Sequence, residues 1–250
     1  MTVQAEGLVV GRRTAGPAVP APARADACAG LLLFADLAPA DRAALLGAAA
    51  MRAFDKGEAI IDGVASDALI VLCRGAAALS IEDDGRRAVL AVVSAPQTLN
   101  LACVMAQSSP LVSWRAAEHC MVMFLPRALF LKMVARDARL AANAASALAG
   151  AYQDMVATAA AQRLRCAQQR LADYLLSLPF VGDDEAEVRL PHSKHLLASL
   201  LGMTPENLSR TLVALVAHGV TVQGAAVRIA DRQRLRDAVG WLGAGRASVS

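Results

Sequence analysis

Leu190-Pro191-His192-Ser193-Lys194-His195-Leu196-Leu197-Ala198-Ser199-Leu200-Leu201-Gly202-Met203-Thr204-Pro205-Glu206-Asn207-Leu208-Ser209-Arg210-Thr211-Leu212-Val213-Ala214-Leu215 is the stretch from which the fold is read. Ser193 or His192 caps a helix that runs through Leu201. Gly202 follows, where a left-handed turn residue costs least. Thr204 is a good N-cap, Pro205 suits the first helical position, and the charge of Glu206 complements the helix N-terminus. Leu208, Leu212 and Leu215 line one face of the second helix; Glu206, Ser209 and Arg210 line the other. Two short helices joined through a glycine, the second with a polar N-terminal face, make the helix-turn-helix plan. A three-helix module that binds protein is the competing reading. The base-reading chemistry of that face and its small apolar surface argue against it.

Downstream, Val220-Thr221-Val222, Gly224 and Ala226-Val227-Arg228-Ile229 read as a two-stranded wing, with Arg228 in reach of a phosphate. An amphipathic helix from Asp231 to Leu242 closes the module. Upstream, Pro179 ends the preceding helix, and Gly182-Asp183-Asp184-Glu185 is a polar linker. Residues 179–243 are thus read as a winged helix-turn-helix domain and 244–250 as a tail.

The run from Arg136 to Leu178 has no proline, a single glycine and many good helix formers. Leu148, Tyr152, Met155, Ala159, Gln162 and Cys166 recur at alternating spacings of four and three. That is a thin coiled-coil seam, and a second copy of the chain is its economical partner. Residues 136–178 are read as one long dimerisation helix.

Residues 28–135 carry a different pattern. Leu31 to Ala53 reads as short helices. Beyond it come short β-type runs at Ala59–Ile61, Leu69–Leu72, Ala77–Ile81, Val89–Val93 and Met121–Leu125. Turn residues separate them, among them Lys56-Gly57, Asp62-Gly63, Arg74-Gly75 and Asp83-Asp84-Gly85. Such spacing predicts an antiparallel β-roll. The fold class is α+β: roll, long helix, winged helix-turn-helix. Residues 1–27, with Pro17, Pro20 and Pro22 and no apolar period, read as a disordered tail.

The composition bounds the function. The chain of 250 residues is 56% hydrophobic, but aromatics are only 4% and net charge is +3. No apolar run reaches the roughly 18 residues that span a bilayer, and no signal-peptide pattern follows Arg12 and Arg13. A cytoplasmic protein without a membrane partner is expected. Cys28, Cys73, Cys103, Cys120 and Cys166 are scattered and form no Cys-x-x-Cys pair, which speaks against a disulfide framework or a structural zinc site.

At these residues the chain resembles the Crp/Fnr family of bacterial transcription regulators, over roughly residues 30 to 242. Gly57, Gly63, Gly75 and Asp84-Gly85-Arg86 follow the family's glycine pattern in the roll. Glu206, Ser209 and Arg210 resemble the Fnr branch, and the run Met203 to Arg210 is most similar to the Dnr-type regulators. The resemblance implies a homodimer on double-stranded DNA, working with RNA polymerase. Glu206, Ser209 and Arg210 would read bases; Ser193, Lys194, His195, Thr204, Asn207 and Arg228 would hold phosphates.

It also bears on the signal. Cyclic-nucleotide members use a Glu on the ribose and an Arg on the cyclic phosphate. Here Leu101 and Pro110 stand at about those places, so cyclic AMP is not expected. Iron–sulfur members need clustered N-terminal cysteines, and only Cys28 precedes the roll, so no iron–sulfur cluster is expected. The Dnr-like resemblance implies a haem in the roll, with His119, Cys103, Cys120 and Met105 as candidate donors; the metal ligands stay unassigned. Cys103 and Cys120 read equally as small core residues, and His119 as a surface turn residue. Cys73 and Cys166 are candidate redox thiols. An enzyme or ligand-binding module with an accessory DNA-binding-like domain is the alternative. No nucleophile–base set, metal spacing or phosphate loop supports catalysis.

Overall fold

The computed structural model describes residues 30–62, 66–108, 112–181 and 186–240. The chain forms two compact units that divide between Gln153 and Asp154. The predicted tails 1–27 and 244–250, the linker 182–185, Gly63 and Pro110 lie outside the described residues.

The first unit opens with a 3-10 turn, Leu32–Phe34, and helix α1, Pro39–Gly47. Among the described residues eight strands follow: β1 (Ala50–Phe54), β2 (Ala59–Asp62), β3 (Ala68–Arg74), β4 (Ala76–Asp83), β5 (Arg86–Ser94), β6 (Gln97–Thr98), β7 (Ser113–Ala116) and β8 (Cys120–Pro126). Helix α2 (Leu101–Ala106) lies between β6 and β7, and α3 (Arg127–Val134) follows β8. The strands make two antiparallel four-stranded sheets, ordered β1-β8-β3-β6 and β2-β7-β4-β5.

Strand β3 shows why this sequence needs two cores. Ala68 through Cys73 are all buried, so both faces are covered. Side chains alternate across a strand. Leu69, Val71 and Cys73 join Leu101, Val104, Met123, Leu125 and Phe130 in a core between sheet and helices. Ala68, Ile70 and Leu72 join Phe54, Trp114, Val122 and Phe124 in a second core. A one-residue slip against β8 would exchange the two sets.

The five predicted strands are present as β2, β3, β4, β5 and β8. The helical reading of Leu31 to Ala53 fails at its end: Ala50–Phe54 is a strand, paired with β8 from Ala50↔Phe124 to Phe54↔Cys120. Pairing with a strand some seventy residues away outweighs local helix propensity there. Strand β7 and helix α2 are also additions.

The predicted single helix over 136–178 is two helices, α4 (Ala138–Leu164) and α5 (Ala167–Ser177). The chain is extended at Cys166, which caps α5. The Gln169 side chain accepts from the Cys166 backbone N–H at 3.0 Å. Leu148 is half-buried against the helix–sheet core, and Cys166 has left the helix, so neither continues the seam as read. Tyr152, Met155, Ala159 and Gln162 on α4 are exposed. Among the described residues, no helix is long and apolar enough to cross a membrane.

In the second unit α5 packs against α7 (Pro205–Leu215) and α8 (Arg232–Val239), and α6 (Lys194–Leu200) packs against α7. Its wing has three strands: β9 (Glu187–Arg189) adds to the predicted pair β10 (Val220–Gln223) and β11 (Ala226–Ile229), in the order β10-β11-β9. Leu171, Leu175, Leu197, Leu208, Leu215, Val227 and Leu235 form one core. Gly240 ends α8 in a left-handed conformation, short of the predicted Leu242.

Gly75, between β3 and β4, has φ +85°, and a Cβ there would stand 2.4 Å from the His119 carbonyl oxygen. Both the backbone conformation and the contact exclude a side chain. Gly75→Ala is expected to cost more than the roughly 1–2 kcal/mol of a left-handed residue alone. Urea unfolding followed in the roll checks this; an unchanged midpoint would contradict the packing at this turn.

Candidate nucleic-acid interface

Helix ends orient the candidate residues. The Ser193 hydroxyl accepts from the Leu196 N–H and starts α6. Gly202, at φ +63°, turns the chain. The Thr204 hydroxyl accepts from the Asn207 N–H at 3.2 Å, and Pro205 opens α7 as its first residue. Each cap satisfies an N–H that the helix cannot. Leu208, Leu212 and Leu215 are buried as expected, together with Thr211, whose hydroxyl donates to the Asn207 carbonyl at 2.7 Å.

That burial leaves Glu206, Ser209 and Arg210 exposed on one side of α7. Hydrogen bonds from its own backbone N–H and from the Thr204 hydroxyl, with the Arg210 charge one turn on, hold the Glu206 carboxyl below its usual range. Glu206 is therefore a standing acceptor. The Ser209 hydroxyl donates to the Pro205 carbonyl at 3.0 Å, which leaves its lone pairs for an outside donor. Lys194, His195, Thr204 and Arg228 are exposed, and Asn207 is half-buried. Lys194 and His195 lie on the first turn of α6, and Arg228 lies on β11.

Sequence reasoning missed two features. Arg170 of α5 donates from Nε to the Leu201 carbonyl at 2.9 Å and from Nη1 to the Arg165 carbonyl at 2.7 Å. One guanidinium thus ties the helix-turn-helix turn to the break between α4 and α5. The neighbouring Arg165–Asp173 pair closes at 3.2 Å, and burial pushes the Asp173 carboxyl up although Arg165 pulls it down. No spacing in the sequence signals these contacts. The second feature is Val213, 72% exposed on the face expected to carry little apolar surface. Its place on the helical wheel could have found it.

The candidate sensor residues are not brought together. Leu101 begins α2 and is buried in the helix–sheet core. The buried Asn100 beside it serves β3, accepting from the Ile70 N–H at 2.8 Å and donating to the Ala68 carbonyl at 2.9 Å. His119 lies on the surface with Asp55 at 3.1 Å. The buried Cys120 thiol donates to the Ala76 carbonyl at 3.0 Å, and burial pushes its pKa up. Met105 packs against the helix–sheet core, and Cys103 lines a cavity of about 10 Å³ with Ile61, Ser66, Asn100 and Arg127. That space suits about one water molecule. His119 and Cys120 therefore do not fit as haem donors: the His119 ring has a surface partner, and the Cys120 thiol is spent on a backbone carbonyl in the core.

Residues 51–137 match the family model of the cyclic nucleotide-binding domain, and residues 169–238 match that of the Crp-like helix-turn-helix domain. A solved structure from Silicibacter pomeroyi DSS-3, described as a cAMP-binding regulatory protein, is 30% identical with TM-score 0.56, covering 87% of this chain and 98% of its own. FixK2 from Bradyrhizobium japonicum is 22% identical with TM-score 0.66, over 76% of this chain and 96% of its own. A crp/fnr-family transcriptional regulator from Eubacterium rectale ATCC 33656 is 19% identical with TM-score 0.62, over 84% of this chain and 98% of its own. No curated protein matches the chain. The fold and the site define a DNA-binding regulator with a cyclic-nucleotide-binding-like domain. The chain belongs to the Crp/Fnr family of transcription regulators.

A lowered carboxylate pKa keeps the charged form as pH falls, until pH drops through that lowered value. Glu206 should therefore titrate below the ordinary value of about 4.3. Thr204→Val removes both the cap and the donor. It should raise the Glu206 pKa and cost about 1 kcal/mol of stability. Side-chain carbon NMR titration of both proteins reads the shift; identical titrations would dismiss the Thr204 contact.

Proposed function

We propose that the chain is a homodimeric regulator that reads an Fnr-type palindrome, with half-sites close to TTGAT, and answers to a signal other than a cyclic nucleotide. The exposure of Glu206, Ser209 and Arg210 together on the capped end of α7 carries this reading. Arg210 can donate twice to guanine O6 and N7, and Glu206 can accept from a cytosine N4 amine. Ser209 contacts a thymine or its neighbour. Ser193, Lys194, His195, Thr204, Asn207 and Arg228 hold phosphates and set register.

Regulators of this family are dimers. Tyr152 and Met155, 68% and 67% exposed on α4, with Ala159 and Gln162 a turn or two on, are the surface we assign to a second copy. A dimer presents its recognition helices about 34 Å apart, one turn of DNA. Such a regulator works in the cytoplasm, where DNA and RNA polymerase are, and carries out no catalysis of its own.

Arg210→Ala should weaken binding to the palindrome by about 1–3 kcal/mol and relax the guanine preference at one position. Lys194→Ala should weaken all sequences alike and flatten the salt dependence by about one unit. Anisotropy titrations on the palindrome and its single-base variants, across a salt series, separate the two. Full guanine preference in Arg210→Ala would refute the reading.

A buried cyclic phosphate needs a cation or a helix end, and a ribose bound by this fold's usual route needs a carboxylate. Leu101 is an apolar core residue instead. Calorimetry with cyclic AMP and cyclic GMP is expected to give no heat at micromolar concentrations. Micromolar binding of either one would overturn this part of the proposal.

A further inference from the structure

Helix α7 has 11 residues and turns by about 100° per residue. With Glu206 at zero, Arg210 falls at about +40°, Ser209 at about −60° and Val213 at about −20°. The buried Leu208 and Leu215 lie on the opposite side, and the buried Leu212, at about −120°, lies on the Ser209 side of the core stripe. Val213 is therefore flanked by the three polar residues rather than placed at the edge of the core stripe. It lies one turn beyond Ser209 and Arg210 and is 72% exposed. A β-branched apolar residue there lowers helix propensity while leaving most of its surface to solvent.

We propose that Val213 is a fourth base-reading residue, whose methyl groups pack on the C5-methyl of a thymine in each half-site. The proposal rests on the reading of Glu206, Ser209 and Arg210 as the base-contacting set. Thymine is the base whose major-groove edge carries an apolar group, so it is the one this side chain can recognise. The polar three read donors and acceptors. Val213 adds a contact that distinguishes thymine from cytosine by shape and apolarity.

The test replaces each thymine of a palindrome of two TTGAT half-sites with uracil, one symmetric pair at a time. Uracil deletes the methyl and keeps the pairing edge. Wild-type protein should lose about fourfold in affinity per half-site at one thymine, the worth of one buried methyl group, and little at the others. Val213→Ala should bind the thymine palindrome more weakly and lose that sensitivity, while keeping its guanine preference. Circular dichroism and the guanine preference show that this variant remains folded and correctly docked. Wild-type protein that discriminates guanine yet tolerates every uracil overturns the assignment of Val213 alone. So does a Val213→Ala variant as sensitive to the same uracil as wild type. A wild-type protein without guanine preference overturns the underlying reading, and this inference with it.

Discussion

Arg170 closes two open backbone ends with one side chain. The last carbonyls of a helix have no partner within it, and the turn after α6 leaves the Leu201 carbonyl exposed to the same deficit. The guanidinium forks between Leu201 and Arg165, so the break between α4 and α5 and the turn between α6 and α7 are fixed by the same group. A charge-assisted bond to a carbonyl is stronger than a neutral one, and a fork also fixes direction. A lysine could satisfy one carbonyl but would leave the angle between the segments loose. The start of α7 follows this turn directly, so the presentation of Glu206, Ser209 and Arg210 depends on a residue more than thirty positions upstream.

Much of the site was legible because its determinants are local. Ser193, Gly202, Thr204 and Pro205 act within a few residues of themselves, and the structure uses each as the sequence suggests. The leucines of α7 are spaced by the helical period and are buried. The break at Arg165–Cys166 was not legible. Neither proline nor glycine marks it; a capping arrangement with Gln169 and the long-range fork of Arg170 hold it. Ala50–Phe54 escaped for the same reason, since its register with β8 is set by a partner far along the chain. Propensity and periodicity report what a segment does alone, and these segments act in pairs.

The chemistry of the proposed DNA-reading face is set within α7 itself. Glu206 is held ionised by two hydrogen bonds and a neighbouring cation. The Ser209 hydroxyl is committed to the Pro205 carbonyl, which removes a rotor and fixes the side chain as an acceptor. Arg210 has the longer reach and stands beside Glu206 on the wheel. In the proposed complex the two would exchange a solvent-screened attraction for directed hydrogen bonds in the groove. Preorganised acceptors with one adaptable donor keep the ordering cost of binding low.

The roll tells a complementary story about what its glycines and apolar residues were kept for. Gly75 sustains a turn so tight that the His119 carbonyl occupies the space of a side chain. Asn100 uses its whole amide on β3 backbone, and Leu101 turns inward to the helix–sheet core. The segment that follows β6 is thus spent on closing the fold. A ligand bound there would need to displace apolar packing worth roughly 1.5–3 kcal/mol for a leucine. The surface pairing of His119 and the core burial of Cys120 likewise commit these two side chains to the fold of the roll.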